Sequence, residues 1–236
     1  QTCALPICEQ LEDPRVAKGI VKRGLIKVIT PGTNTDSLFL DDASNNYIMC
    51  VIIKEERASV STADISTGEF NCTDFKYNVE SVLDEISKYS PTEILFQDDL
   101  ENDLIKTVKE RFNITITQIP AKNIQDSYDE LLVKQFVPIE VNSYSEVLKC
   151  SAGCLLEYIL NAQKTSLTNI NNFNHYEIQG YMCIDINSRR NLELTENLRE
   201  KNKKGSLLWV LDKTSTAMGA RLLRKWVEQP DRKSVV

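Results

Sequence analysis

Between Tyr47 and Lys54 the chain reads YIMCVIIK, an unbroken apolar run closed by a lysine. A strand with one wet face alternates apolar and polar residues, whereas an unbroken run fits a strand covered on both faces. Glu55-Glu56-Arg57 turns the chain into a second run, Ala58 to Ser66, and Thr67-Gly68 turns it into a third, Glu69 to Phe75. Connections this short join antiparallel neighbours. A three-stranded meander is therefore expected, with further layers on both of its faces.

Beyond the meander the period changes. Val79, Val82, Leu83 and Ile86 recur at helical spacing until Pro91, and Glu93 to Phe96 (EILF) is a brief strand. Leu100, Leu104, Val108 and Arg111-Phe112 suggest a second helix, and Ile114 to Ile119 (ITITQI) another strand. Upstream, Leu25 to Thr30 (LIKVIT) is a β-branched run closed by Pro31-Gly32, and Asp41 to Asn46 (DDASNN) is a polar turn. A meander followed by helix–strand–helix–strand is an α/β layer fold with a mixed sheet, and this order matches the ribonuclease-H-like arrangement. Fold class alone implies no function.

From Ser143 the pattern becomes mostly helical. Tyr144, Val147, Leu148, Leu155, Tyr158, Ile159 and Ala162 trace one apolar stripe, with Gly153 inside it as a point of close packing. Lys164 to Gly180 is polar and Asn-rich and reads as a linker. A helix is expected from Ser188 to Leu198, a polar turn over Glu200 to Gly205, and a last helix from about Thr216 to Glu228.

The formal net charge of −6 argues against a surface built mainly to grip nucleic-acid phosphates, which usually reads basic. Any such grip lies elsewhere or in a local patch. Seven cysteines without a regular framework read as reduced thiols. No apolar run approaches the roughly 18 residues of a membrane span, and the N-terminal residues are not expected to be a signal peptide. A cytoplasmic location with no membrane partner is expected. Gln1 to Ile7 (QTCALPI) and Asp231 to Val236 (DRKSVV) resemble in-frame translations of sequencing adaptors. The natural sequence is therefore expected to run from about Cys8 to Pro230, and both ends are set aside from functional reasoning.

Among eight glycines there is neither GxxxxGK[ST] nor GxGxxG. Asp64-Ile65-Ser66-Thr67-Gly68 resembles the phosphate loop of actin-like ATPases and the first metal-binding carboxylate of ribonuclease-H-type nucleases. The second reading needs partners such as Asp74, Glu93 or Asp98, because a two-metal site requires converging acids. The plainer reading, a hairpin turn with a locally bonded Asp, is preferred. Cys150 and Cys154 share a helix face, but zinc needs two more ligands and His175 is the single histidine, so core packing is expected. His175 has no nucleophile motif beside it. Arg221, Arg224 and Lys225 form a basic face that reads as solvated, and Arg189-Arg190 beside Glu193 and Glu196 reads as local helix pairing.

Five strings carry more information than any of these. Cys8 to Lys22 (CEQLEDPRVAKGIVK) with Ile29 to Thr33 (ITPGT) resembles the end of the mismatch-recognition domain of bacterial MutS-type DNA mismatch-repair proteins. Ala63 to Phe70 (ADISTGEF) resembles that family's connector strand and turn, and Ser151 to Tyr158 (SAGCLLEY) the helix leaving the connector. Ile184 to Leu198 (IDINSRRNLELTENL) and Leu208 to Pro230 (LWVLDKTSTAMGARLLRKWVEQP) resemble the opening of its core, or lever, domain. The strings stand in the family's order across nearly the whole chain.

The resemblance implies an internal segment: residues 1–33 ending the mismatch-recognition domain, 34–166 a ribonuclease-H-like connector, and 167–236 the start of an all-α core. Pro31 and Gly32 would mark the passage into the connector. Asp64, Thr67 and Gly68 would be a structural turn without nuclease activity. Arg189, Asn191, Leu192 and Leu194 would pack the start of the core, and Asp212, Thr214, Met218, Gly219, Arg221, Leu222, Leu223 and Trp226 would begin the lever. The family's aromatic wedge lies upstream and its clamp tip and Walker ATPase downstream, so no catalytic, cofactor or metal residue is expected here. The parent protein would be a homodimeric ATPase using ATP and Mg2+ on mismatched double-stranded DNA and recruiting MutL. Tyr128 to Phe136, with Glu130 and Lys134, is the expected place for MutL docking.

Overall fold

The computed structural model describes residues 4–13, 15, 19–34, 44–99, 102–112, 114–125, 127–178, 182 and 184–230. Residues 41–43 of the expected polar turn, Leu100, and the segment 231–236 lie outside them. β1 (Leu5–Gln10) and β2 (Arg23–Ile29) form an antiparallel pair running from Leu5↔Ile29 to Gln10↔Arg23. Leu5 to Ile7, from the end set aside above, thus pair with β2, and the register slips between Ile7 and Cys8. A 3-10 turn, Pro31–Thr33, then leads toward the main sheet.

The meander forms as expected: β3 (Ile48–Lys54), β4 (Arg57–Asp64) and β5 (Glu69–Lys76) are consecutive antiparallel neighbours. β6 (Glu93–Gln97) lies parallel beside β3, β7 (Thr115–Ile119) parallel beside β6, and β8 (Asn174–His175) parallel beside β5. The sheet order is β7-β6-β3-β4-β5-β8, with α1 (Val79–Tyr89) and α2 (Asn102–Arg111) interleaved in the sequence.

β3 explains its own lack of alternation. Ile48, Cys50 and Ile52 enter one core, with Ala63, Phe70 and Leu95 and with Leu148, Leu155 and Ile159 of α4 (Glu146–Gln163). Met49 and Val51 enter a second core, with Val60, Ile94 and Phe96 and with Val82, Ile86 and Val108 of α1 and α2. Period-2 geometry sends neighbours to opposite faces, and here both faces are apolar. Helix ends follow local chemistry: Asn78 accepts from the Glu80 N–H at the start of α1, and Ser145 from the Leu148 N–H at the start of α4. α1 stops at Ser90, whose left-handed φ of 44° precedes Pro91.

Two expectations need correction. Residues 164–178, the described part of the expected linker, are not a free linker. Leu167 and Ile170 are buried in the α4-side core, Phe173 stacks with Phe70, and Asn174–His175 extend the sheet past residue 166. Gln135 donates its amide to the carbonyl oxygens of Leu167 and Ile170, which fixes the excursion. The helix expected over Ser188–Leu198 is shorter: α5 spans Ile186–Asn191, after which Glu193 takes a left-handed φ of 47° and Leu194 turns inward. Its backbone and that of Glu193 accept from Leu208 and Leu207 of α6 (Leu207–Leu211). α7 (Ala217–Glu228) closes the described chain. Between β7 and α4 the segment read only as a docking stretch forms α3 (Asp129–Gln135). Among the described residues, no helix is long and apolar enough to cross a membrane.

Candidate functional site

Asp64 ends β4 fully buried. Its Oδ1 accepts from the Ser66 N–H at 2.8 Å, the Ser66 hydroxyl at 2.6 Å and the Thr67 N–H at 3.3 Å. Its Oδ2 accepts from the Asn45 amide at 2.9 Å and the Asn46 N–H at 3.2 Å. Both oxygens are thus committed to backbone and side-chain donors of two turns. Gly68 completes the hairpin at φ 79°, and a Cβ there would stand 2.3 Å from the Asn169 carbonyl oxygen. Among side chains sequence reasoning had not paired with this turn, Asn169 donates to the Ile65 carbonyl oxygen at 2.5 Å.

The acids named as possible partners of Asp64 lie elsewhere. Asp74, far along β5, binds Arg57, the Ser145 hydroxyl and, at 3.7 Å, His175 Nε2. Asp98 accepts from the Ala121 N–H at 2.8 Å. Glu93 meets Tyr158 of α4, whereas Asp64 alternates with Ala63 of the α4-side core and so faces the other way. Among the described residues, no group of three or more His, Cys, Asp or Glu is placed to hold a metal ion.

Glu93 has a structural task that spacing did not reveal. It is 1% exposed and accepts from the Gly32 N–H at 3.1 Å, the Thr117 hydroxyl at 2.8 Å and the Tyr158 hydroxyl at 2.7 Å. The carboxylate neighbour and burial push the Tyr158 phenol above its ordinary range, with burial the larger cause. Gln163 donates to the Thr33 carbonyl oxygen at 2.7 Å, and Asn46 to those of Pro31 and Asn34 at 3.0 and 3.2 Å. Gly32 is needed for the approach, since its Cβ would stand 2.8 Å from Ile48 Cβ. The Pro31-Gly32 turn is therefore tied to β6, β7, α4 and the entry to β3.

The other sequence-derived residues are distributed as follows. Glu130 and Lys134 are exposed on α3, whose Leu132 is buried. Arg189 donates to the Ile184 and Glu228 carbonyl oxygens, fastening α5 to the end of α7. Asn191 and Leu192 are exposed although expected to pack, while Leu194 is buried. Asp212 accepts from the Thr214 N–H and hydroxyl and pairs with Lys203, and these bonds hold its carboxyl well below the usual range, Lys203 first. Thr216 caps α7 through the Gly219 N–H. Met218 and Trp226 are exposed. Arg221, Arg224 and Lys225 are half-buried rather than on a solvated face: Arg224 pairs with Glu228, and Lys225 reaches Glu69 on the meander.

Cys150 and Cys154 sit in the α4-side core with Cys50 and Cys72. The Cys50 thiol is held well above its ordinary value by its hydrogen bond with Cys154 and by burial.

In these places the polar side chains hold turns and junctions between elements. Comparison with known families agrees in order along the chain: residues 2–38 match MutS domain I, 46–171 match MutS domain II and 187–235 match MutS domain III. The DNA mismatch repair protein MutS of Clostridium botulinum (strain 657 / Type Ba4) is 55% identical over 227 residues, which are 96% of this chain and 24% of that protein. That of Clostridium botulinum (strain Loch Maree / Type A3) is 56% identical over the same shares. That of Clostridium kluyveri is 51% identical over 238 residues, 98% of this chain and 27% of that protein. The chain belongs to the MutS family of DNA mismatch-repair proteins. It spans about a quarter of the length of these relatives.

Proposed function

We propose that this segment is the connector of a DNA mismatch-repair protein, joining a mismatch reader on its N-terminal side to a lever on its C-terminal side. The observation that carries this reading is the coincidence of the MutS domain II match with the mixed sheet, between the domain I and domain III matches. The sheet supports a ribonuclease-H-like layout: an antiparallel meander whose first strand is flanked by two successive parallel strands. Residues 1–33 would end the reader and the segment after α4 would open an all-α lever, with 167–176 counted to the connector because they pack on its sheet.

In the whole protein, a homodimer in the bacterial cytoplasm would encircle mismatched double-stranded DNA and use ATP and Mg2+ to become a sliding clamp that recruits MutL. This segment's part is mechanical: a firmly tied turn at Pro31-Gly32 lets the mismatch state and the nucleotide state bias one another. In a protein of the relatives' length carrying this segment, Gly32→Val is expected to spare basal ATP hydrolysis and abolish its response to mispaired DNA. An undiminished response contradicts the connector reading. Glu130 and Lys134, exposed on α3, are the proposed MutL contacts. Reversing both charges should weaken MutL recruitment, and unchanged recruitment removes α3 from the account.

A further inference from the structure

Where α7 meets the sheet, charged groups make the junction and the helix's apolar residues take little part. Lys225 Nζ lies 3.4 Å from Glu69 Oε1, and the Tyr47 hydroxyl donates to Glu69 Oε2 at 2.6 Å. Met218, Leu222 and Trp226 are left largely exposed. Between α7 and the Tyr89–Thr92 turn there is a cleft of about 340 Å³ instead of a packed core. Arg221 Nε is buried there without a partner among the described residues.

These features make docking of α7 a finely balanced state. The side chains of Lys225 and Glu69 are about one-third exposed, so water and salt screen their attraction. A buried N–H without an acceptor opposes closure. The tie at Gly32 is built differently, from a buried carboxylate held by three donors.

We propose that Glu69, Lys225 and Tyr47 form a releasable latch by which α7 docks on and leaves the meander while the sheet stays folded. Tyr47 fixes the Glu69 carboxylate on the sheet side, and Lys225 is the part that engages or departs. The latch rests on this junction and stands whether or not the connector reading holds.

The test is zero-length carbodiimide coupling of the full 236-residue chain, read by peptide mass spectrometry. A Glu69–Lys225 cross-link is expected at low ionic strength. Its yield should fall about two- to fivefold at roughly 1 M salt, where the screening length is about 3 Å. Amide exchange protection of β3 to β5 should be unchanged across that range. Lys225→Glu should speed amide exchange in α7 by a similar factor of about two to five, and the double swap with Glu69→Lys should restore it. The latch is overturned by an absent cross-link at low salt, by a yield indifferent to salt, or by loss of β3–β5 protection together with the cross-link. Unchanged α7 exchange in Lys225→Glu overturns it equally.

Discussion

The Cα of Gly153 on α4 faces the ring of Tyr128: a Cβ built there would stand 2.1 Å from Tyr128 Cγ. Tyr128 is buried, and its hydroxyl donates to Glu157, one turn further along the same helix, at 3.2 Å. The ring is thus pinned at both ends against a helix that has no side chain at the crossing point. Glycine inside a helix costs up to ~1 kcal/mol relative to alanine, and close approach of the α3 segment explains its use. Gly153→Ala is expected to lower stability by a net ~1–3 kcal/mol, because overpacking outweighs the propensity gain. Urea unfolding measures this, and a variant at least as stable as the parent contradicts the packing.

Glu93 should tolerate glutamine far better than leucine. A glutamine can aim its carbonyl oxygen at the Gly32 N–H and its NH2 at the Thr117 and Tyr158 hydroxyl oxygens, which can rotate to accept. Leucine leaves a buried N–H and two hydroxyls unsatisfied, at about 1–3 kcal/mol for each group that finds no other partner. Comparative urea unfolding of Glu93→Gln and Glu93→Leu checks the difference. Equal losses would show that the carboxylate charge, and not the acceptor geometry, holds the turn.

Asp64→Asn should destabilise the chain, since whichever side the new NH2 takes, it faces donors. A loss of ~1–3 kcal/mol is expected. Metal-dependent nucleic-acid cleavage by the purified chain that vanishes in this variant would contradict a purely structural turn.

Stability should fall in alkali partly through Cys72. Burial pushes this thiol from 9.0 up to about 12. The unfolded chain releases the proton near pH 9, while the folded chain keeps it until near pH 12. The contribution is therefore full below about pH 9 and is lost as pH rises through that window. Cys72→Ala is expected to flatten the decline of unfolding free energy between these limits, and an unaltered slope contradicts the assignment.

Much of the sheet was legible because its signals are local. YIMCVIIK, the 55–57 turn and Thr67-Gly68 specify the meander through burial and turn chemistry alone. β8 was not legible, because Asn174 and His175 join the sheet through backbone pairing and carry no apolar pattern. Tyr128, Leu132 and Phe136 stand at helical spacing and could have revealed α3. The role of Glu93 could not be read, since its three donors come from residues 32, 117 and 158. The basic face of α7 was misread for the same reason: the acid that Lys225 meets lies 156 positions away, at Glu69.

The central claim is that residues 34–176 work as the connector of a mismatch-repair protein. The most direct measurement grafts this segment into Clostridium botulinum MutS in place of its own connector and scores mutation frequency in cells lacking MutS. The account predicts return to the frequency of the intact protein. A chimera that accumulates as folded protein yet leaves the frequency at the level of cells without MutS would contradict it.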